Sequence, residues 1–179
     1  LIGYGSLSGG HIDGRRHWLA VTRADRELVS ALAQTDSSST TAKFRSANLE
    51  LESKITIRAV TDINSETYTA NKDTWYAVAK YTNYLGEEIT LTIPFSDARI
   101  GVDAIGRTYI NVNELAANEM STPVEFTVYD GDGAAVTNTL TYSIETYAAG
   151  KVNGTNANLA ALVKAMMKFG DSARVYRKG

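Results

Sequence analysis

Apolar and polar residues alternate along the middle of the chain with a period of two. Successive side chains of a β-strand point to opposite faces, so this alternation predicts strands with one buried and one exposed face. It runs through the segments NLELESKITIR (48–58), TWYAVAKYTNY (74–84) and EITLTIPF (88–95). Between the last two segments, the residues NYLGEE predict a hairpin turn in which Gly86 takes a positive φ.

Further apolar segments follow at similar spacing. They are RTYINV (107–112), PVEFTVYD (123–130) and AVTNTLTYSIETY (135–147), and the last two flank the reversal DGDGA (130–134). About six short strands with no helices between them favour an antiparallel sandwich over a parallel α/β sheet. The pattern therefore predicts a mainly β fold.

The period changes to three and four residues near the end of the chain. This spacing predicts an amphipathic α-helix, whose apolar stripe is expected to pack on the sandwich and close the core. Asn156 or Asn158 would cap its first turn. Gly170 indicates either a close approach of the backbone to the sheet or a break between two helical pieces. The predicted stripe consists of Leu159, Leu162, Val163, Met166, Phe169, Ala173 and Tyr176.

The first 43 residues have a different character. The first 16 contain five glycines and no sustained periodicity, and residues 17–34 fit either a strand hairpin or a helix. Residues 34–42 are a polar run typical of a linker. We therefore predict an N-terminal segment over residues 1–43, a hairpin or helix plus linker, and a β-sandwich module with its closing helix over residues 44–179.

Charge and composition exclude several classes of function. The formal net charge of the 179-residue chain is −2, which leaves no broad basic face for nucleic acid. No apolar run is long enough to cross a bilayer, so we expect no membrane insertion by this chain. The absence of cysteine excludes disulfides and thiolate chemistry. No cofactor motif is present, and we predict no cofactor.

Acidic residues are the first candidates for catalysis. Glu114, Glu119, Glu125 and Glu145 could supply a general acid and a general base, the two carboxylates that glycosidases use. However, 20 acidic residues spread over a soluble surface offer such pairs by chance. The Asp-Gly steps of DGDGA resemble part of a calcium loop, but the longer ligand pattern is missing and a hairpin turn fits better. We therefore predict neither enzymatic activity nor a metal site.

Aromatic residues are the better candidates for binding. Trp75 and Tyr76 are adjacent, so alternation sends them to opposite faces of their strand and at least one aromatic ring faces solvent. An exposed aromatic ring can stack on the apolar face of a sugar. The alternative is that Trp75 belongs to the core and Tyr76 is a surface residue of a type common in strands. Trp18, in the N-terminal segment, is a further candidate for ligand binding.

Three segments of the chain resemble a known family. Together they resemble a β-sandwich module repeated in large secreted and surface-anchored proteins of gut and rumen Firmicutes. In that family a Y-S-I-E-x-Y strand and an L-V-K-A-M-x-x-x-G-D-S-A helix close the module. The resemblance covers residues 44–176 and leaves residues 1–43 unmatched. The segments are SANLELESKITIRAV (46–60), NELAANEMSTPVEFTVYDGDGAAVTNTLTYSIETYAAG (113–150) and NANLAALVKAMMKFGDSARVY (156–176).

The resemblance implies both a fold and a function. We expect an antiparallel immunoglobulin-like β-sandwich with a C-terminal α-helix packed on it. We expect a non-catalytic module, serving as spacer, scaffold or adhesion domain of a bacterial cell-surface or secreted protein, with neighbouring modules as partners. The alternative is a carbohydrate-binding module that holds polysaccharide or host glycan through Trp75, Tyr76 and Trp18. In both cases the expected location is extracellular or at the cell surface.

Overall fold

Nine strands and three α-helices make up the described part of the chain. The computed structural model describes residues 34–35, 41–51 and 54–178. The strands are β1 (Gln34–Thr35), β2 (Phe44–Leu51), β3 (Ile55–Asn64), β4 (Tyr76–Thr82), β5 (Glu88–Pro94), β6 (Ile100–Val102), β7 (Arg107–Val112), β8 (Val124–Tyr129) and β9 (Thr139–Tyr142). The helices are α1 (Ser65–Ala70), α2 (Ile144–Lys151) and α3 (Ala157–Lys178), and a 3-10 turn spans Ala117–Glu119.

The strands form two antiparallel sheets in a sandwich-like arrangement. The first sheet has the order β1-β9-β8-β4-β5 and the second has the order β2-β3-β7-β6. The prediction of a mainly β antiparallel fold with a C-terminal helix is therefore confirmed. Gln34 in β1 lies opposite Leu140 in β9, so a short stretch ahead of residue 43 also pairs with the first sheet.

The two sheets share one apolar core. In strand β4, Ala77 and Ala79 are buried while Lys80 is exposed, as the alternation predicts. The rings of Phe44 in β2 and Phe126 in β8 lie 6.3 Å apart between centroids and join the second sheet to the first. Side chains buried to 2% exposure or less include Ile57, Ala59, Ile93, Phe95, Ile110, Val112, Val124 and Val128.

Two helices lie where the alternation predicts none. The predicted strand over residues 135–147 ends at Tyr142, because the Ser143 hydroxyl accepts a hydrogen bond from the Thr146 amide (3.0 Å) and begins helix α2. Helix α1 interrupts the succession of strands between β3 and β4, and the side chain of Asn64 caps its first turn. At Ser143 a local cap outweighs the strand pattern, whereas α1 lies in a stretch for which the alternation predicts no strand.

Three hairpin turns share one hydrogen-bond pattern. The side-chain oxygen of the first residue accepts hydrogen bonds from the backbone amides two and four residues further on. These first residues are Asn83, Asp103 and Asp130. The fourth residue of each turn is a glycine with positive φ: Gly86 (83°), Gly106 (82°) and Gly133 (84°). The positive φ predicted at Gly86 is confirmed, and DGDGA forms the hairpin turn that its sequence favours.

Helix α3 packs at one end of the sandwich. Its first turn is capped by Asn156, whose side-chain oxygen accepts a hydrogen bond from the Leu159 amide at 3.0 Å. The helix contacts the 3-10 turn and helix α2. Its buried face consists of Ala160, Val163, Met167 and Gly170.

The predicted apolar stripe of α3 is correct only in part: Val163 is buried in the core and Leu159 and Met166 pack against it, but the other large members are exposed. Leu162, Phe169 and Tyr176 belong to that stripe, yet they are 46%, 61% and 88% exposed. The docked face lies about 100° further around the helix, the angle of one residue. Gly170 explains this rotation, because a Cβ atom there would lie 3.0 Å from the carbonyl oxygen of Ala117 and 3.0 Å from the sulfur of Met120. The close approach that this glycine indicates is made to the 3-10 turn and not to a sheet.

Replacement of Gly170 tests the close approach. We expect Gly170→Ala to lower the free energy of unfolding by about 1–3 kcal/mol, because the new methyl group meets backbone that cannot move away freely. Gly150→Ala in α2 is the matched control, since no atom lies within 4 Å of its added Cβ. Helix propensity alone acts there, and the free energy of unfolding should rise by up to about 1 kcal/mol. Urea unfolding followed by circular dichroism measures both changes, and stabilisation by Gly170→Ala would contradict the contact.

Two buried threonines give a second test of the core. The hydroxyl of Thr108 is buried without a hydrogen-bond partner. The hydroxyl of Thr61 donates to the Thr108 carbonyl (3.1 Å) and accepts from the Ile63 amide (3.2 Å). We expect Thr108→Val to raise the free energy of unfolding by about 1 kcal/mol and Thr61→Val to lower it by about 1–3 kcal/mol, since only the second change leaves buried groups unpaired. In thermal unfolding, the two variants should shift the melting temperature in opposite directions. Shifts in the same direction would contradict the hydrogen bonds assigned to the two hydroxyl groups.

Candidate binding surface

The outer face of the first sheet carries ordered rows of side chains. Ala77 and Ala79 of β4 point into the core, so the residues between them and beside them point outward. An aromatic row lies at the start of β4, a threonine-containing row follows, and a charged row lies further on. The rows are Pro94, Tyr76 and Tyr129; then Thr92, Val78 and Thr127; then Thr90, Lys80 and Glu125.

Tyr76 and Tyr129 form a stacked pair in the aromatic row. Their ring centroids are 5.5 Å apart and their planes differ by 16°. Both residues are half-buried, so part of each ring remains accessible. The two rings fix each other's position on the outer face, which is what a platform for an apolar ligand surface requires.

An open depression of about 280 Å³ lies at the other end of β4. Its lining includes Lys80, Thr82, Glu88, Thr90 and Glu125. Within the described residues, the side chains of Lys80, Glu88 and Glu125 make no hydrogen bond or ion pair. The depression therefore presents both a cation and carboxylates that have no partner in the fold.

Other carboxylates hold the fold together. Glu119 is 3% exposed, and its two oxygens accept hydrogen bonds from the amides of Tyr84 (2.9 Å) and Ala116 (2.7 Å). It thereby joins the turn between β4 and β5 to the 3-10 turn. Glu114 accepts a hydrogen bond from the guanidinium of Arg99 at 2.7 Å. These two of the four glutamates considered for acid–base chemistry are engaged in structural contacts.

The remaining acidic candidates lie in separate elements. Glu145 is in the first turn of helix α2, and Glu125 is in β8 on the outer face of the first sheet. The carboxylate of Asp130 accepts hydrogen bonds from the Asp132 amide (3.0 Å) and the Ala134 amide (2.8 Å) of its own turn. Its role there is to shape the hairpin turn.

Of the three aromatic residues predicted to bind a ligand, the two that the structure describes do not form one surface. Trp75 precedes β4 and packs edge-on against Phe95, with ring centroids 5.8 Å apart. Tyr76 lies on the outer face, and Trp18 lies outside the described residues. Sequence reasoning missed Tyr129, the partner of Tyr76. Its signal is the alternation in VEFTVY, which places Tyr129 on the face opposite to that of Phe126 and Val128.

The outer face of the second sheet is polar and internally paired. The guanidinium of Arg58 lies 3.9 Å from the ring centroid of Tyr109 and 2.6 Å from the carboxylate of Glu50. Arg99 forms an ion pair with Asp97 at 2.9 Å beside a depression of about 260 Å³. Because both guanidinium groups already have partners, this face offers fewer free groups than the outer face of the first sheet.

Arg99 also lowers the pKa of Asp97. Hydrogen bonds from the Arg99 side chain, and then from its backbone amide, lower the pKa of Asp97 from 3.8 to about 2. A carboxylate whose pKa falls on folding stabilises the protein above its unfolded pKa and loses that contribution as the pH drops through its folded pKa. The Asp97–Arg99 contact therefore contributes stability above pH 3.8 and loses it toward pH 2.

The variant Asp97→Asn tests this linkage. We expect it to lower the urea midpoint at neutral pH, with an effect that shrinks as the pH falls from about 4 to about 2 because the wild-type carboxylate becomes protonated there. Asp132→Asn is the control, since Asp132 is an exposed turn residue without an ion pair. Urea midpoints measured across this pH range give the difference. A constant difference at all pH values would argue against the linkage.

Neither a membrane span nor a metal cluster is found among the described residues. No helix there combines the length and apolar character that crossing a membrane requires. No three side chains of the metal-binding types lie close enough there to hold an ion. Comparison of the chain with protein-family models, curated proteins and solved structures gave no match.

Proposed function

We propose that the chain is a non-catalytic module of a bacterial cell-surface or secreted protein, acting as a spacer, scaffold or adhesion domain. The observation that carries this proposal is the structural use of its carboxylates. Both oxygens of Glu119 accept hydrogen bonds from backbone amides, and Glu114 is paired with Arg99. A general acid or base must instead reach the proton of a reacting group within hydrogen-bond distance. The resemblance to modules of surface proteins points the same way.

The fold proposed for the module is immunoglobulin-like. Immunoglobulin domains place strands A, B, E and D in one sheet and C, F and G in the other, and variable-type domains extend the second sheet with C′. If β2 to β9 are taken as A, B, C, C′, D, E, F and G, the second sheet becomes A-B-E-D and the first becomes G-F-C-C′. This correspondence of strand order supports the proposal.

The apolar core explains how such a module could hold its two sheets together without a disulfide. Antibody domains join their two sheets by a disulfide between strands B and F. This chain has no cysteine, and the contact between Phe44 and Phe126 joins the sheets by apolar packing. A module of this kind would keep its shape between neighbouring modules through the core alone.

A carbohydrate-binding module is the second candidate, and the outer face of the first sheet favours it. The stacked Tyr76 and Tyr129 offer ring surface for a sugar. Lys80, Glu88 and Glu125 are free to exchange hydrogen bonds with hydroxyl groups. Strands rise about 3.3 Å per residue, so Tyr76 and Lys80 are about 13 Å apart along β4. That length suits an oligosaccharide better than a single sugar.

One experiment with the full chain addresses both candidates. The chain is incubated with plant polysaccharides, mucin glycans, glycosides and peptides, and both product formation and retention are measured. For the non-catalytic module we expect no product from any substrate, because the described carboxylates mostly serve the fold. Turnover that Glu125→Gln abolishes would overturn the proposal. Retention on a glycan would bring the second candidate forward.

Two variants in the same experiment separate the aromatic candidates. If the carbohydrate candidate holds, we expect Tyr76→Ala to weaken retention at least tenfold and to lower the free energy of unfolding less than Trp75→Ala does, because Tyr76 lies on the outer face and loses only its stacking contact with Tyr129. Trp75→Ala is expected to lower the free energy of unfolding by about 2 kcal/mol, because it removes a half-buried ring from the core. Retention that is unchanged by Tyr76→Ala would exclude the outer face as the glycan site.

A further inference from the structure

Helix α3 exposes an apolar face that the module does not use. Leu162 is 46% exposed, Phe169 is 61% exposed and Tyr176 is 88% exposed. The largest exposed apolar patches on monomeric proteins are often functional. An aromatic-rich stripe along one helix therefore indicates a surface that another molecule covers.

The three exposed residues recur every seven positions, and the half-buried Leu159, Met166 and Ala173 lie between them and the docked face. From Leu159 to Tyr176 the apolar positions are separated alternately by three and four residues, as in the a and d positions of a heptad. At 100° per residue this stripe is centred about 120° from the docked face of α3. We call it the α3 seam, and it comprises Leu159, Leu162, Met166, Phe169, Ala173 and Tyr176.

An apolar depression extends the α3 seam toward the sheets. It measures about 320 Å³ and borders Phe169. Its lining includes Ile55 at the start of β3 and Leu115 beyond the end of β7. The exposed surface therefore combines a helical ridge with an adjoining hollow, the two features that a second helix needs for packing.

We infer that the α3 seam binds the α3 seam of a second copy of this chain, with the two helices antiparallel. The three exposed members of the α3 seam are self-complementary about Phe169, because Leu162 and Tyr176 each lie seven residues from it. A twofold axis at Phe169 places Leu162 against Tyr176 of the other copy and Met166 against its small Ser172. Such isologous contacts are the commonest way in which identical chains associate. This inference does not depend on the proposed function.

The area of the α3 seam fits a weak dimer. At roughly 200 Å² for each aromatic side chain, the exposed parts of Phe169 and Tyr176 amount to about 300 Å² per copy. Two copies would bury about 600 Å² of ring surface. Leu162, Met166 and the neighbouring small residues bring the total to roughly 1,000 Å², near the lower limit of specific interfaces.

The solvent flank of the α3 seam suits close approach of a second helix. The residues on its solvent flank are Ala161, Ala165 and Ser172, which are small and uncharged and let two helices approach closely. Lys164 and Lys168 lie at least about 120° away from the centre of the stripe. The basic side chains nearest to the stripe are Arg177, which stacks on Tyr84, and Lys54, which lines the adjoining depression.

The first experiment measures association of the full chain by sedimentation velocity. We expect the mass to approach twice the monomer mass as the protein concentration rises from about 5 to 500 µM. Phe169→Glu should raise the dissociation constant at least tenfold, whereas Lys168→Glu, one residue away on the outward face, should not raise it. Circular dichroism checks that both variants fold. A chain that stays monomeric throughout the range would overturn the inference.

The second experiment uses the absence of cysteine to locate the axis. Phe169→Cys introduces a single thiol that would meet its symmetry mate, so mild oxidation should give a covalent dimer. Lys168→Cys is the matched control and should react much more slowly. Leu162→Cys should also react much more slowly, because the antiparallel arrangement places it against Tyr176, whereas a parallel pair would bring it to its own mate. Equal rates for Phe169→Cys and Lys168→Cys, or cross-linking by Leu162→Cys as fast as by Phe169→Cys, would overturn the antiparallel arrangement.

Other occupants of the α3 seam give different results. The monomer can be tested with vesicles of phosphatidylglycerol. Binding that is lost in Phe169→Glu would identify a membrane, and not a second copy of the chain, as the partner of the α3 seam. A monomer whose melting temperature falls strongly in Phe169→Glu would instead show that another part of the same chain covers the α3 seam. Either outcome contradicts the inference.

Discussion

The close contact between helix α3 and the 3-10 turn at Gly170 determines which face of α3 is buried and which face stays exposed. A Cβ atom at Gly170 would lie 3.0 Å from the Ala117 carbonyl oxygen, so only glycine lets the two backbones approach this closely. The turn itself is held by the buried carboxylate of Glu119, which also binds the Tyr84 amide. The rotation of α3 is therefore fixed by backbone contact, and its largest apolar side chains are left outside.

Local rules explain the parts of the fold that the sequence predicts well. The burial of Ala77 and Ala79 follows directly from a period of two, and the positive φ of Gly86 follows from the turn between two alternating segments. The cap by Asn156 is equally local. Where two local signals compete, a helix cap can outweigh the strand pattern, as the Ser143 cap does at the start of helix α2.

The parts that could not be predicted depend on contacts distant in sequence. The apolar residues of α3 cover an arc of about 200°, and either half of that arc satisfies the amphipathic pattern. Nothing near Gly170 in the sequence shows that its partner is Ala117, more than fifty residues earlier. The pairing of Tyr76 with Tyr129 likewise depends on the neighbourhood of β4 and β8, which strand alternation alone does not specify. The sequence therefore predicts Tyr76 as part of the candidate surface but not its partner Tyr129.

The α3 seam and the stacked Tyr76 and Tyr129 lie toward opposite ends of strand β4. Arg177 of α3 stacks on Tyr84, just beyond the end of β4, whereas Tyr76 begins that strand. A seven-residue strand spans about 20 Å, so a dimer formed through α3 would leave the Tyr76–Tyr129 stack of each copy accessible. Two weak sites held in one assembly bind a repetitive polymer more tightly than either site alone. Self-association through α3 and adhesion through the first sheet are thus compatible, and the first would strengthen the second.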